Sequence, residues 1–547
     1  MPSPLTYWYT LRHLRPIQFY GRIWFRMARP RVDLRPAPPL RLLCGRDWVK
    51  PASRRASLLG SERFCFLNET YDLADHGWDD PMLGKLWRYN LHYFDDLSAK
   101  DAIARVEWQR ALLSRWVHEN PPAVGTGWES YPTSLRIVNW IKWSLSGNVL
   151  PPECLQSLAV QARWLSRRME IHLRGNHLFA NAKALVFASL FFDGLEASAW
   201  LEKGMRILAR EVPEQILADG GQFERSTMYH ALALEDMLDL CNMTDAFSGL
   251  VPSRWQSTIA NWRERIGPMR DWLAAMCHPD GEIGLFNDAA FGIAPVSAEL
   301  ERYADDLGLA PSNCAQMRVT CLEQSGYVRV AQGEMLALLD VGLIGPDYLP
   351  GHAHADTLSF ELSVFGQRLL VNSGTSCYGL SPERSRQRET AAHNTVVVDR
   401  QSSSEVWAGF RVARRARPLG LEVVREGGVK VVCSHDGYLR LPGQPMHTRQ
   451  WFFEAASLVI EDRVSGRFGH AEARFHLHPS VTLETLDNSV TGRIGLRNGR
   501  WLRWRVEMGE LVIEKSTYHP RFGISEMSHC LVLHLRNSGS RIRFDWV

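Results

Sequence analysis

The sequence predicts an α+β protein with two large domains, a helical domain followed by an all-β domain built as an antiparallel sandwich. Three observations support this fold class. The chain has 547 residues, too many for one hydrophobic core. Apolar residues recur at helical spacing from about 98 to 310, and after Glu323 they alternate with a period of two. We therefore divide the chain into an N-terminal segment (1–85), a helical domain (86–320) and a β domain (321–547).

The N-terminal segment is rich in arginine, proline and aromatic residues over its first 60 positions. A basic aromatic stretch can lie on an anionic membrane surface as a peripheral anchor. It can also pack against the helical domain with its arginines in solvent, and we favour this second interpretation. Arg12, Arg15, Arg22 and Arg26 interrupt every candidate signal-peptide core. We expect a cytoplasmic or inner-membrane-associated protein, with the periplasm as the alternative.

The helical domain is predicted from spacings of three and four, as in Leu155, Leu158, Ala162, Leu165 and Met169. Similar runs occupy 99–118, 132–146, 175–193, 197–217, 226–242 and 255–277, with Gly, Pro or Asn between them. Helices of this length with short connections predict stacked antiparallel hairpins.

The β domain is predicted from short alternating segments: 327–330, 336–341, 358–364, 395–398, 429–433, 451–460 and 530–535. No long helical pattern interrupts them, so the sheets should be antiparallel and sandwich-like.

The composition excludes one class of partner. A net charge of only +3 gives no global field for nucleic acid. The ten cysteines are scattered without a CxxC pair, which favours reduced thiols over a disulfide framework. Twenty tryptophans suit the stacking of sugars, although core packing is the simpler interpretation for any single one.

Four segments concentrate polar side chains at the starts of predicted helices or strands. They are GNH at 175–177, GGQFERSTMYH at 220–230, HAHADTLSF at 352–360 and RETAAHNTVVV at 388–398. The third and fourth, with LVNSGT at 370–375 between them, resemble the heparinase II/III-like polysaccharide lyases. The first two match that family's helical motifs in the same order. The resemblance covers about 85 to at least 420 and implies an incomplete (α/α) toroid, an antiparallel β-sandwich and an active site in the groove between them.

The residue types suit β-elimination on a uronate. Removing the C5 proton requires the sugar carboxylate to be neutralised, and the Asn176 amide, assisted by His177 or His352, suits that task. Tyr229 is the first candidate for base, acid or both, and a pKa lowered by neighbouring His or Arg would help it as base. His352 is the alternative base and Tyr378 a second candidate for acid.

Several of these residues have simpler structural interpretations. Asn176 could be an N-cap, Tyr229 a core tyrosine with a satisfied hydroxyl, and His230 a packing residue. Arg384, Arg386 and Arg388 could form a solvated face or bind substrate carboxylates or sulfates. The candidate substrate-binding residues are Gln222, Glu224, Arg225, Trp128, Arg388 and Asn394.

The resemblance also implies a zinc ion in the sandwich, held by the second His of HxH, an Asp at the end of the next strand and the His of AHNT. The matching positions are His354, Asn372 and His393. Asn372 is a neutral amide and a poorer zinc ligand than a carboxylate. Asp356 could substitute for it, or the two histidines could simply order the loop, so a structural Zn²⁺ stays open. No organic cofactor is expected.

The leading hypothesis is a carbon–oxygen lyase that acts on a uronate-containing acidic polysaccharide. A hydrolase would need two carboxylates beside the bond, and Glu129, Glu224, Asp280, Glu282 and Asp288 are available. A non-catalytic protein that handles polysaccharide during the biosynthesis of bacterial surface polymers is the third alternative. The motif-borne Asn, His and Tyr favour the lyase.

Overall fold

A computed structural model describes residues 3–309, 317–486 and 490–546. Its described part is helical up to Asp306 and mostly β-structure from Val319 onward. The helices are α1 (Pro4–Leu11), α2 (Pro16–Met27), α3 (Leu73–His76), α4 (Lys85–Tyr93), α5 (Val106–Glu119), α6 (Ser130–Leu145), α7 (Pro152–Arg167), α8 (Gly175–Phe191), α9 (Leu195–Gln215), α10 (Thr227–Ala246), α11 (Gln256–Ala275), α12 (Ser297–Asp306) and α13 (Pro382–Arg388).

Helix α8 is the centre of the helical domain. Its apolar residues are distributed around the whole helix, and a helix of that kind is stable only when it is buried on all sides. It contacts α6, α7, α9 and α10. Trp116, Trp140 and Trp262 are buried in the same core, which is the simpler of the two roles weighed for the tryptophans.

The β domain contains most of the strands. The strands are β1 (Arg63–Phe66), β2 (Glu69–Asp72), β3 (Val319–Leu322), β4 (Tyr327–Gln332), β5 (Met335–Asp340), β6 (Phe360–Val364), β7 (Gln367–Leu370), β8 (Val396–Val398), β9 (Val406–Trp407), β10 (Arg411–Val412), β11 (Pro418–Val424), β12 (Val429–His435), β13 (Met446–Phe453), β14 (Ser457–Ser465), β15 (Ala471–His476), β16 (Thr482–Leu486), β17 (Thr491–Gly495), β18 (Trp501–Met508), β19 (Glu510–Tyr518), β20 (Glu526–His534) and β21 (Gly539–Trp546).

Three sheets enclose the core of the β domain. Their strand orders are β3-β4-β5-β6-β7, β19-β20-β15-β8 and β11-β12-β13-β14-β21-β18-β17-β16. Every pairing between named strands in the described ranges is antiparallel, as predicted. Phe360, Trp451 and Phe475, one from each sheet, meet in a single apolar cluster.

The structure corrects two details of the predicted elements. The segment 451–460 is not one strand, because β13 and β14 form a hairpin with its turn after Phe453. The short helix α13 interrupts the strands of the β domain. The N-terminal segment packs against the helical domain with several arginines exposed, as favoured, and many apolar side chains of its helices α1 and α2 are exposed as well. No described helix is both long enough and apolar enough to cross a bilayer.

The two domains are joined beside the predicted site. The Arg225 guanidinium donates to the carbonyls of Leu343 and Gln324 in the β domain. The connection between α11 and α12 runs along the HxH loop, where Asp288 N donates to the His352 carbonyl at 2.9 Å. His354 N in turn donates to Asn287 Oδ1 at 3.1 Å. These contacts fix the HxH loop against the helical domain.

Candidate active site

The N-terminus of α8 presents Asn176 to the domain junction. Arg174, with φ +62°, is the N-cap, so Asn176 lies inside the first turn and is not the cap. Gly175 has φ +53°, a left-handed backbone conformation that favours glycine, and it lies against the Leu349 side chain of the β domain. The side-chain amide of Asn176 has no hydrogen-bond partner among the described residues. It is therefore free to donate to a ligand.

The N-terminus of α10 places Tyr229 in the same way. Ser226 is the N-cap, and its Oγ accepts from Tyr229 N at 3.2 Å. The Tyr229 ring stacks on the His352 imidazole with centroids 4.0 Å apart. The Tyr229 hydroxyl lies 3.1 Å from the hydroxyl of Tyr378. One helical residue and two residues of the β domain thus form a single aromatic cluster.

The buried carboxylate of Asp288 orients this cluster. His352 Nδ1 lies 2.9 Å from Asp288 Oδ2, and His354 Nε2 lies 2.9 Å from Oδ1. Arg384 donates to both oxygens, with Nη2 at 2.7 Å from Oδ2. Burial alone would raise the pKa of Asp288, but Arg384 and the two imidazoles hold it well below its usual value. A permanently ionised Asp288 keeps the proton of His352 on Nδ1 and leaves Nε2 as the acceptor.

The tyrosines of the cluster are kept protonated. Burial raises the pKa of Tyr229 well above its usual value, and Tyr378 and the Asp288 carboxylate add to the increase. Burial and Asp288 act on Tyr378 in the same direction, against the opposing effect of Arg384. The expected lowering of the Tyr229 pKa by a neighbouring cation is therefore wrong. Both groups are suited to donating a proton.

Two carboxylates lie beside the first turn of α8. His177 Nδ1 lies 3.2 Å from Glu170 Oε2, and its ring packs on Tyr131 with centroids 4.5 Å apart. Burial lowers the pKa of His177, but Glu170 and Glu224 outweigh it, so the pKa is raised above 6.5. Burial raises the pKa of Glu224. Glu224 Oε2 is 3.9 Å from His352 Nε2, which connects the α8 side of the site to the aromatic cluster.

The structure thus brings together Asn176, His177, Tyr229, His352 and Tyr378. Gln222 supports them, since its amide donates to Glu224 Oε1 at 3.2 Å and accepts from Glu224 N at 2.9 Å. His230 is a packing residue, as expected: it is fully buried, and its Nε2 lies 2.9 Å from the Met269 carbonyl.

Four predicted substrate-binding residues have structural contacts instead. Trp128 is 3% exposed and its Nε1 donates to the Asn120 carbonyl at 3.1 Å, so it belongs to the helical core. Arg388 is buried and donates to the Ala353 carbonyl, whereas a solvated or substrate-facing role was expected. Asn394 is buried and donates to the Phe360 carbonyl at 2.7 Å.

The fourth is Arg225, whose guanidinium is occupied by the interdomain carbonyls of Leu343 and Gln324. Arg384 is buried against Asp288, so the solvated face predicted for the arginines around α13 applies to Arg386 but not to Arg384 or Arg388.

The importance of Asp288 was not predicted from the sequence, in which this residue was a candidate only as a hydrolase carboxylate. Glu170 and Tyr131 beside His177 were not predicted either. Asp288 lies 64 positions before His352 in a loop outside the recognised motifs. The signal for it was the polar pair Asn287–Asp288 in the otherwise apolar run Leu285–Phe291.

The predicted zinc residues meet in a buried pocket of polar atoms. His393 Nδ1 lies 3.2 Å from Asn372 Oδ1, and the rings of His354 and His393 have centroids 5.2 Å apart. His354 Nδ1, His393 Nε2 and Asn372 Nδ2 are buried without a hydrogen-bond partner from the described residues. Orphaned imidazole nitrogens of this kind are what a zinc ion would satisfy.

The donor set fits zinc through its two imidazoles. Burial lowers the pKa of His354 to about 4, and burial and His354 lower the pKa of His393, so both rings are neutral, which is the ligand form. Asp356, the alternative carboxylate, accepts from Asn287 N at 3.3 Å through its Oδ2. The third position is the amide of Asn372.

Comparisons with known proteins identify the family of both domains. The sequence-family model of the heparinase II/III N-terminus matches residues 98–307. The family model of the heparinase II/III-like C-terminal domain matches residues 317–547. A heparin-sulfate lyase of Bacteroides stercoris is 24% identical over 336 residues, which cover 56% of this chain and 46% of that protein. A heparin-sulfate lyase of Pedobacter heparinus is 26% identical over 280 residues, which cover 46% of this chain and 40% of that protein. The chain spans about half the length of the curated relatives it matches.

Solved structures show the same fold. The crystal structure of heparinase III superposes with a TM-score of 0.65 at 19% identity, covering 84% of this chain and 76% of that one. The structure of a heparan sulfate lyase of Pedobacter heparinus superposes with a TM-score of 0.60 at 17% identity, covering 97% of this chain and 87% of that one. The predicted incomplete (α/α) toroid followed by an antiparallel β-sandwich is confirmed. The two family models together match most of the chain, so this protein belongs to the heparinase II/III-like family.

Proposed function

We propose that this protein is a polysaccharide lyase that cleaves a uronate-containing acidic polysaccharide by β-elimination. The observation that carries the proposal is the stacking of Tyr229 on a His352 imidazole whose Nδ1 is held by the ionised Asp288. Gly175, which precedes Asn176 in the first turn of α8, lies against Glu224, and Glu224 Oε2 is 3.9 Å from His352 Nε2. The names of the two heparin-sulfate lyases support the same reaction class.

The first step is to neutralise the uronate carboxylate. The N-terminus of α8 offers unpaired backbone N–H groups, and Asn176 adds an amide donor. His177 adds a positive charge when protonated, which its raised pKa favours near neutral pH. With its carboxylate neutralised, the sugar can accommodate the enolate charge that develops when C5 loses its proton.

The second step is proton transfer. His352 Nε2 takes the C5 proton, because Asp288 holds the other ring nitrogen protonated. The C5–H electrons form the C4=C5 double bond as the C4–O4 bond breaks. The Tyr229 phenol, protonated because of its raised pKa, gives its proton to the departing O4. Tyr378, at 3.1 Å from that hydroxyl, orients it and can return a proton to it.

Hydrolysis is less compatible with the carboxylates of the site. A hydrolase needs one carboxylic acid and one carboxylate that reach opposite sides of the glycosidic bond. Asp288 is fully buried and bound by Arg384 and two histidines, so it cannot approach a sugar. The remaining two carboxylates, Glu170 and Glu224, both lie beside His177 at the first turn of α8 and so do not form a pair on opposite sides of a bond.

A structural zinc ion is part of the proposal. It would be held by His354, His393 and the Asn372 amide, and when bound it would supply a rigid connection between the HxH loop and the entry to β8. His354 also bonds to Asp288, so the ion would stiffen the support of His352. The chain's own residues carry out the proton transfers.

The site is proposed to bind an acidic polysaccharide. We further propose that the protein is located at a membrane surface. The support for that location is the exposed apolar character of α1 and α2.

The proposal is tested with the full chain on a panel of uronate polymers, read by the ultraviolet absorbance of the new C4=C5 double bond. Tyr229→Phe should lower the rate at least roughly a hundredfold while polymer affinity changes less than about threefold. The matched control is Tyr131→Phe, which keeps the ring packed on His177 and should retain most of the rate.

New reducing ends without the double bond would mean hydrolysis and would refute elimination. Tight polymer binding without turnover of any polymer by the parent chain would favour a non-catalytic protein.

A further inference from the structure

Helix α2 exposes most of its apolar side chains and packs on the protein through Gln18, Gly21 and the half-buried Phe25. Phe19, Ile23 and Met27 are spaced by four residues, as are Tyr20 and Trp24, so the five side chains share one side of the helix. Ile23, Trp24 and Met27 are 61%, 68% and 76% exposed. This is the reverse of the pattern by which a surface helix packs on a globular domain.

Helix α1 continues the pattern. Leu5, Trp8 and Leu11 are spaced by three residues and exposed. The side chain that α1 buries is Thr10, and the residues that α2 buries are Gln18 and Gly21.

The two helices are nevertheless firmly attached. Gln18 Nε2 donates to the Tyr348 carbonyl at 3.1 Å, and Trp407 Nε1 donates to Thr10 Oγ1 at 3.1 Å. The Arg168 guanidinium donates to the carbonyls of Phe25 and Ala28 at 2.5 and 2.6 Å. The apolar faces are therefore presented by a fixed scaffold, held through its polar side.

The charged side chains of the segment itself have one sign, although Arg15 is paired with Glu214 and His13 lies 3.9 Å from Asp347. Residues 3–32 contain six arginines (Arg12, Arg15, Arg22, Arg26, Arg29 and Arg31) and no Asp or Glu. Arg12, Arg26, Arg29 and Arg31 are exposed. A second copy of the chain docked by the same face would oppose arginine to arginine, which disfavours self-association. An anionic surface is the complementary partner.

We propose that α1 and α2 form a binding surface for an anionic lipid bilayer. Tryptophan, tyrosine and aliphatic side chains would enter the headgroup boundary, and the arginines would contact lipid phosphates. The loop that receives Gln18 at Tyr348 also carries His352, so the bilayer would lie on the same side of the molecule as the entrance to the site. The proposal concerns where the protein is held and does not depend on the elimination chemistry.

The test is co-sedimentation of the full chain with vesicles of phosphatidylcholine alone or mixed with phosphatidylglycerol. We expect binding to the anionic vesicles that weakens with added salt. Ile23→Ser/Trp24→Ser should weaken it at least tenfold, and Arg26→Glu/Arg29→Glu at least fivefold for each arginine replaced. The control Ile103→Ser/Leu195→Ser removes two apolar side chains elsewhere that are even more exposed, and it should bind like the parent.

Three outcomes would overturn the proposal. They are a parent chain that stays in the supernatant with anionic vesicles, equal binding to neutral vesicles, and undiminished binding by Ile23→Ser/Trp24→Ser. Light scattering without lipid adds a fourth: a parent dimer that this variant converts to a monomer would assign the surface to a second copy. Polymer turnover should be unchanged in the variant, which separates this test from that of the proposed function.

Discussion

Asp288→Asn is the substitution that tests the architecture of the site most directly. The carboxylate accepts from Arg384 at both oxygens and from His352 and His354 at one oxygen each. Asp288 and Arg384 are both fully buried. An amide of the same shape keeps the packing but removes the charge, so Arg384 is left as an uncompensated buried cation.

The expected magnitude follows from that geometry. Breaking a buried pair by removing one partner costs about 3–5 kcal/mol. For a domain of roughly 200 residues this corresponds to a fall in the melting temperature on the order of 10 °C. The loss of the acceptor for Nδ1 also frees the His352 tautomer, and since a positioned base contributes about 10²–10⁴ to the rate, we expect a rate loss of at least roughly a hundredfold.

The double variant Asp288→Asn/Arg384→Met separates the two effects. Replacing both partners of a buried pair by neutral groups is often close to neutral for stability, so the melting temperature should largely recover. The rate should not recover, because His352 still lacks its carboxylate. Calorimetry and the absorbance assay measure the two quantities on one sample. Recovery of the rate together with stability would show that Asp288 only holds the fold, and the assignment of His352 as an oriented base would fail.

Three further predictions follow from the same contacts. The pKa of His177 is raised above 6.5, so its imidazolium contributes fully to substrate binding below that pH and is lost as the pH rises through the raised pKa. KM should therefore increase with pH in that range. A His177→Gln variant with the same pH dependence of KM would contradict this role of His177. Purified protein should contain about one zinc per chain by elemental analysis, and a chelator should lower the melting temperature of the parent but not of His393→Gln; an equal effect on both would remove the zinc site from the proposal. Trp128→Ala should cost about 3–5 kcal/mol of stability in chemical denaturation with KM unchanged, whereas an increase of KM at unaltered stability would restore the subsite that burial argues against.

Much of the fold could be predicted from the sequence because apolar residues recur at helical spacing in the first domain and with a period of two in the second. The helical runs predicted at 132–146 and 175–193 correspond to α6 (Ser130–Leu145) and α8 (Gly175–Phe191) within about two residues. The hairpin inside 451–460 was missed because its turn, Glu454–Ala455–Ala456, contains no glycine, proline or asparagine. In the N-terminal segment the packing on the helical domain was predicted, but the exposed apolar face was not, because periodicity identifies an apolar face without showing whether that face is covered.

The motif residues of the site were found because they cluster in short segments, whereas their partners were not. Arg384 and Arg388 looked like part of a solvated run because their acceptors are the carboxylate of Asp288 and the carbonyl of Ala353, 96 and 35 positions away. A charge run in sequence gives no information about buried acceptors that the tertiary fold supplies. The roles of Arg384 and Arg388 follow from their burial, which is visible only in the folded structure.

The acid and base roles required the same kind of information. Cations near Tyr229 were expected to lower its pKa and make it a base. The nearby cation is Arg384, but Asp288 binds both of its terminal nitrogens, and the charge that acts on Tyr229 is the negative one of that carboxylate. The field at the phenol therefore has the opposite sign to the one expected from the list of residues, and the same Asp288 makes His352 Nε2 the acceptor. In the proposed mechanism, burial together with this carboxylate keeps the phenol protonated as the acid, and the carboxylate orients the imidazole as the base.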